Sequence, residues 1–238
     1  MVLSTTSNTR PRGDPTDSEE IMSDSHGGRF IEAPPEAADV ADPPVQHREV
    51  AFKVVLVGEQ AVGKTSLIRR FVQGVFSDQY KSTLGTVVHK KQVVLPGPGG
   101  ESVRATMMVW DIEGNQDFLS LVKQAYFKHC RGVLAVCDAT RPDTLLALQA
   151  WLENVHHAEP ESTTLILANK VDLPGADRLS RSLLGTLAAK YAGRTIMTSA
   201  KSGLGVEEAF DDLAKAVVGR VLAEPYRDSD PLFQASEF

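Results

Sequence analysis

From Val50 onward, apolar residues come in short runs separated by polar turns; before it they are sparse. Ala51–Val57 (AFKVVLV) is a β-branched run without a polar face, as suits a strand covered on both sides. Lys64–Gln73 has helical spacing. Val87–Leu95 and Val103–Trp110 flank the turn-rich PGPGG of Pro96–Gly100 and read as a β-hairpin. Gly132–Cys137, Thr164–Ala168 and Thr195–Thr198 are further short strands, and helical patterns over 143–157, 180–192 and 205–221 alternate with them. Such alternation predicts an α/β domain over 50–222, with a mainly parallel sheet covered on both faces and an antiparallel hairpin at one edge.

Residues 1–49 have a different texture. They hold six of the 13 prolines, a single aromatic (Phe30), and ten carboxylates against four arginines, a net charge of −6. That equals the formal charge of the whole chain, so the predicted domain is neutral. Too little apolar surface is available there to offset the entropy of ordering, and a disordered, acidic, proline-rich extension is expected. A neutral domain with an acidic arm gives no electrostatic reason to bind nucleic acid or an anionic membrane. No apolar run approaches the length of about 18 residues needed to span a bilayer. The two cysteines, Cys130 and Cys137, are too few for a disulfide framework and are expected simply to pack. With no signal-peptide pattern at the N-terminus, a cytoplasmic location is expected. Residues 223–238 read as a short flexible tail.

The chemistry begins directly after the first strand. Gly58-Glu59-Gln60-Ala61-Val62-Gly63-Lys64-Thr65 fits G-x-x-x-x-G-K-[ST] between a strand and a helix. The glycines let consecutive main-chain N–H groups point inward at phosphates, and the helix N-terminus adds partial positive charge. Lys64 would face the β- and γ-phosphates, and the Thr65 hydroxyl would ligate Mg²⁺. A phosphate loop does not choose a base. Asn169-Lys170-Val171-Asp172 after the strand 164–168 does, because the Asp172 carboxylate can accept from both the ring N–H and the exocyclic amine of guanine. Adenine lacks that donor pair. Thr198-Ser199-Ala200-Lys201 after another strand would bring a main-chain N–H to the guanine carbonyl and a lysine stem beneath the ring.

Together GEQAVGKTS (58–66), FSDQYKSTLG (76–85), VWDIEG (109–114), ANKVD (168–172) and TSAKS (198–202) resemble the Ras superfamily of small GTPases, and most of all its Rab branch. The resemblance covers 50–222. It implies a three-layer P-loop fold, the Ras-like G domain, with a six-stranded, mostly parallel sheet, one antiparallel edge strand and five helices. It also implies a GTP/GDP switch with Mg²⁺ in signalling or intracellular transport, meeting effector, exchange-factor and GTPase-activating proteins, as a monomer. The nucleotide would contact Gly58, Ala61, Val62, Gly63, Lys64, Thr65, Ser66, Asn169, Lys170, Asp172, Ser199, Ala200 and Lys201. Phe76 would pack on the guanine, Tyr80 would lie over the phosphates, and Gly114 would give its N–H to the γ-phosphate. Thr65, Thr83 and Asp111 would hold the metal; Thr86 is the rival of Thr83. Lys64 and Thr83 would also serve catalysis.

Departures cluster at the hydrolytic positions. Where the family has a glutamine that orients the attacking water, this chain has Asn115, with Gln116 next to it. Asparagine is one methylene shorter, a shortfall of about 1–1.5 Å, and misplacement of about 1 Å can cost on the order of a hundredfold in rate. Glu113 replaces a small residue and is expected to put an opposing carboxylate near the γ-phosphate. Gln60 adds bulk where an incoming arginine would enter, and no switch I arginine offers itself in its place. Slow hydrolysis is expected, with a non-catalytic GTP-bound scaffold as the alternative. No cysteine follows Cys137, so no prenylation box is expected and membranes would be reached through partner proteins.

Overall fold

The computed structural model describes residues 48–79, 82, 83, 85–114, 125–191 and 193–223. Most of the expected N-terminal extension, Tyr80, Asn115, Gln116 and the tail from 224 lie outside the described residues. Six strands form one sheet in the order β2-β3-β1-β4-β5-β6. They are β1 (Arg48–Val57), β2 (Thr86–Pro96), β3 (Ser102–Ile112), β4 (Cys130–Asp138), β5 (Thr163–Asn169) and β6 (Arg194–Met197). All neighbouring pairs are parallel except β2 with β3, so the edge hairpin is as the sequence predicts.

β1 starts two residues before the expected boundary at Val50. Arg48 and Glu49 stand opposite Val103 and Arg104, and Glu49 pairs with the Arg104 guanidinium at 2.9 Å. Polar residues thus extend a strand through ladder bonds and a cross-strand ion pair, neither of which a hydropathy pattern reveals.

The period of two sorts the sheet into two cores. Val54 and Leu56 of β1, Leu134 and Val136 of β4, and Leu165 and Leu167 of β5 face one cluster. Val55 and Val57, Val133 and Ala135, and Ile166 and Ala168 face the other. Helices α1 (Lys64–Gln73) and α4 (Val206–Ala223) cover the first face; α2 (Pro142–Ala158) and α3 (Arg181–Lys190) cover the second. The result is three layers, which explains strands without a polar side. α3 begins one residue later than its pattern suggested, because the Ser180 side chain accepts from the Leu183 N–H at 3.2 Å and caps the helix. α4 runs to Ala223, one residue past the expected domain end. Residues 125–127 are helical; the rest of the region where a fifth helix is implied lies outside the described residues. No described helix is long and apolar enough to cross a membrane.

The carboxyl ends of β1, β3, β4, β5 and β6 lie at one edge of the sheet, the place where open α/β sheets build ligand crevices. α1 carries the phosphate loop's lysine and threonine, and its position is set by Phe71, which stacks on Phe210 of α4 with centroids 4.0 Å apart and planes 2° from parallel. Both rings are buried. Phe210→Ala should destabilise the protein by about 3–5 kcal/mol, read by urea unfolding at one fixed nucleotide concentration. A loss below 1 kcal/mol would mean that this stack does not anchor α1.

Candidate functional site

A cavity of about 350 Å³ opens at that edge, lined by the loops after β1, β3, β5 and β6 and by residues 75–79 and 83. Its phosphate end is the 58–63 loop. Ala61 takes a positive φ of 63°, and Gly63 one of 103° where a Cβ would collide with Asn169 Nδ2, so glycine is required there. The loop wraps the Lys64 ammonium, which donates to the carbonyls of Gly58 at 2.7 Å and Glu59 at 3.0 Å. Lys64 is only 7% exposed. Burial pulls its pKa from 10.5 down to about 8, against the attraction of Asp111 and Glu59.

Beside it, three oxygen-bearing side chains meet. Thr65 donates its hydroxyl to Asp111 Oδ2 at 2.6 Å, and Thr83 Oγ1 lies 2.8 Å from Thr65 Oγ1. Asp111 is buried, its Oδ1 has no partner among the described residues, and burial raises its pKa despite the Thr65 bond and the Lys64 charge. An orphaned carboxylate oxygen next to two hydroxyls fits a hard divalent cation such as Mg²⁺. Thr83, not Thr86, reaches this corner; the Thr86 hydroxyl is buried without a partner among the described residues. Gly114 closes the wall, for a Cβ on it would lie 2.6 Å from Lys64 Nζ and 2.7 Å from the Gln60 N.

At the other end Asn169, Lys170, Asp172, Ala200 and Lys201 line the cavity. Phe76 lines the cavity and packs against the adjoining core. Asn169 acts as a brace: its Nδ2 donates to the Val62 carbonyl at 2.9 Å, and its Oδ1 accepts from the Ala200 N–H at 3.2 Å and the Thr198 hydroxyl at 3.3 Å. One buried amide ties the phosphate loop to the base-end loop. Of the main-chain N–H groups in 198–201, that of Ala200 is thus engaged by the protein. Ser199 is buried and donates to Asp172 Oδ1 at 2.6 Å, fixing that carboxylate's plane. Gly58 and Val62 contribute through their carbonyls, and the Val62 side chain is buried in the core. Ser66 lines the phosphate end.

One expectation changes. Glu113 does not present a free carboxylate: its Oε2 accepts from the Gly85 N–H at 3.0 Å, and its own N–H donates to the Gly85 carbonyl at 3.1 Å. Separately, an arginine from outside switch I reaches the phosphate loop. Arg141, at the start of α2, donates through Nη2 to the Gln60 carbonyl at 3.0 Å and through Nε to Asp138 at 3.1 Å. Sequence reasoning missed Asp138, the buried hub that also binds Lys170 Nζ at 2.7 Å and the Thr140 hydroxyl at 2.7 Å. Burial pushes its pKa up, but the bonds from Lys170 and Thr140 outweigh that and hold it below the usual range. The available signal was a carboxylate ending the apolar run 132–137, since a buried charge must find partners. Trp151 of α2 also reaches the loop, donating to Glu59 Oε1 at 3.1 Å. Cys130 and Cys137 are buried, and burial pushes both thiols up to about 12, so they are inert packing residues.

Comparison with known proteins gives a consistent picture. The Ras family model matches residues 53–219. Ras-related protein Rab-26 of Bos taurus is 34% identical over 192 residues, covering 80% of this chain and 72% of its own length. Ras-related protein Rab-37 of Homo sapiens is 32% identical over 206 residues, or 85% and 88% of the two chains. Ras-related protein Rab-13 of Rattus norvegicus is 32% identical over 168 residues, or 70% and 80%.

Lys64 generates a pH prediction. Its folded pKa lies below its unfolded one, so the unfolded state holds more protons between pH 8 and 10.5, and the ligand-free protein gains stability as pH rises through that window. Phosphate binding needs the ammonium and should take up a proton there and weaken. Melting of wild type against Lys64→Met, and calorimetry in two buffers of different ionisation heat, check both signs. Proton release on binding at pH 9 would refute them.

Proposed function

The chain belongs to the Ras family and is a Rab-like small GTPase, a switch that hydrolyses GTP; from that premise we propose how its own residues bind and process the nucleotide. GTP or GDP occupies the cavity with its phosphates in the 58–66 loop and its guanine between Phe76 and Lys201. Supporting this reading is one observation above all. The same cavity holds a buried ammonium, a three-oxygen corner and, at its far end, a carboxylate steadied by a serine.

Thr65, Thr83 and Asp111 would hold Mg²⁺, which when bound neutralises charge on the β- and γ-phosphates. Lys64 adds a second positive charge, and its low dielectric surroundings strengthen that attraction. The Gly114 N–H faces the γ-phosphate, so Thr83 and Gly114 sense its presence from two different loops. In hydrolysis water attacks the γ-phosphorus and the bond to the β–γ bridging oxygen breaks, giving GDP and inorganic phosphate. Orienting that water falls to Asn115 or Gln116, and the short Asn115 makes unassisted turnover slow. A GTPase-activating protein would supply what is missing, an exchange factor would reload the site, and effectors would read residues 76–95 and 111–127. No observation favours a non-catalytic scaffold. The switch serves Rab-like trafficking.

Base choice rests on Asp172, because a site built to hydrogen-bond two donors rejects a base lacking them by about 10⁴-fold. Labelled GDP should therefore bind in magnesium buffer about 10⁴-fold more tightly than ADP; equal affinities would end this reading. Asp172→Asn should weaken GDP by about 10–100-fold and favour xanthosine diphosphate, whose extra carbonyl the amide can meet. For the chemistry, single-turnover hydrolysis by wild type should run at or below about 10⁻⁴ s⁻¹, and Asn115→Gln should raise it about tenfold or more. A wild type already that fast, with no gain from glutamine, would overturn the role given to Asn115.

A further inference from the structure

Two bonds between Glu113 and Gly85 join the loops that flank the phosphate end of the cavity. In β2 and β3 the last ladder pair is Thr86 with Ile112. Beyond it the Glu113 N–H donates to the Gly85 carbonyl at 3.1 Å, as a continued strand would. The return bond is different: the Gly85 N–H donates to the Glu113 side chain, at 3.0 Å. A carboxylate stands where a main-chain carbonyl would serve in a regular pair, so the pairing is completed while the chain after Glu113 turns toward the phosphate loop.

Both ends of this tie sit next to groups that face the phosphates. Gly85 is two residues from Thr83, whose hydroxyl meets that of Thr65 at 2.8 Å. Glu113 precedes Gly114, which is pressed against Lys64 and Gln60. Each bond is internal to the protein and needs no phosphate. A small residue at 113 would remove the acceptor of the Gly85 N–H and leave one bond of the two.

We propose that Glu113 is a positioning residue which, by accepting the Gly85 N–H, holds Thr83 and Gly114 in place with a nucleoside diphosphate as well as with a triphosphate. The proposal rests on the guanine-nucleotide reading of the cavity. In ordinary switching the γ-phosphate supplies the contacts that order the two loops. Here a hydrogen bond to a side-chain oxygen supplies one of them from the protein itself. The consequence is a switch whose Thr83 side changes little on hydrolysis, and an Mg²⁺ corner that stays assembled around GDP. The carboxylate is thereby an internal acceptor, and its effect should not depend on its charge: glutamine has the same acceptor at the same reach.

The test uses the full chain loaded with GDP or with a non-hydrolysable GTP analogue in magnesium buffer, with loading verified before each measurement. Residue-resolved amide hydrogen exchange at Gly85 is the first readout. Wild type should show protection within about twofold in the two states. Glu113→Ala should lose about tenfold or more in the GDP form, and Glu113→Gln should match wild type. The second readout is release of labelled GDP: Glu113→Ala should accelerate it about tenfold in magnesium, Glu113→Gln should not, and all three proteins should release alike in excess chelator. The proposal is overturned if Glu113→Gln behaves as Glu113→Ala, if wild-type Gly85 is protected with the analogue alone, or if Glu113→Ala changes neither readout. A protein that loads neither nucleotide overturns the functional reading along with it, whereas one that loads normally and fails these readouts overturns the positioning role alone.

Discussion

A lysine ammonium enclosed by main chain is the constraint around which the rest of this structure is arranged. Lys64 sits at the start of α1 with its hydrogen bonds given to two carbonyls. Taking a charge out of water is costly unless partners replace the lost solvation. Carbonyls replace part of it, and burial still lowers the Lys64 pKa. The remainder is a standing demand for negative charge, which phosphates satisfy. To impose that demand the loop must curl around the side chain, and this in turn needs the left-handed turns at Ala61 and Gly63. The sheet supplies the anchor, with β1 buried between β3 and β4 and α1 fixed to α4 by the Phe71–Phe210 stack.

The loops at the far end of the cavity are mechanically coupled to that loop. Asn169 touches the Val62 carbonyl on one side and the Ala200 N–H on the other. Asp138 grips Lys170 at the base end while Arg141 extends from it to the Gln60 carbonyl. The Asn169 bridge is buried and well satisfied, a condition in which polar networks specify one geometry rather than several, while the Arg141 bridge ends at the surface. The Asp172 carboxylate is held by Ser199, and an Oδ1 that accepts once still has lone-pair capacity for the base proposed to sit there.

The departures from the family's usual residues take on meaning at the same end of the sheet. Glu113 looks, as a letter in the sequence, like a repelling charge beside phosphates. In the fold it is a hydrogen-bond acceptor for the neighbouring loop. At Gln60 the structure shows only a main-chain carbonyl that receives Arg141, a bond that does not depend on the glutamine side chain. Glu113 thus ties the two loops at this end within the chain itself.

Much of this was legible in the sequence. The strands over 51–57 and 164–168 and the helix over 64–73 follow from apolar runs whose period and length admit few alternatives. Lys64, Thr65 and Asp172 follow from motifs in which chemistry fixes the spacing, because a phosphate, a metal and a guanine edge each demand particular groups at particular separations. The tertiary structure decided what depends on residues far apart in the chain. Asp138 and Arg141 lie about 80 positions from the loop they brace, and neither belongs to a local motif. Thr83 was separated from Thr86 only by which hydroxyl meets Thr65. Arg48 and Glu49 joined β1 because Arg104 waits on the next strand. Local pattern encodes which elements form and which side chains carry charge; where a carboxylate's lone pairs end up is set by the three-dimensional approach of another loop, which no one-dimensional pattern contains.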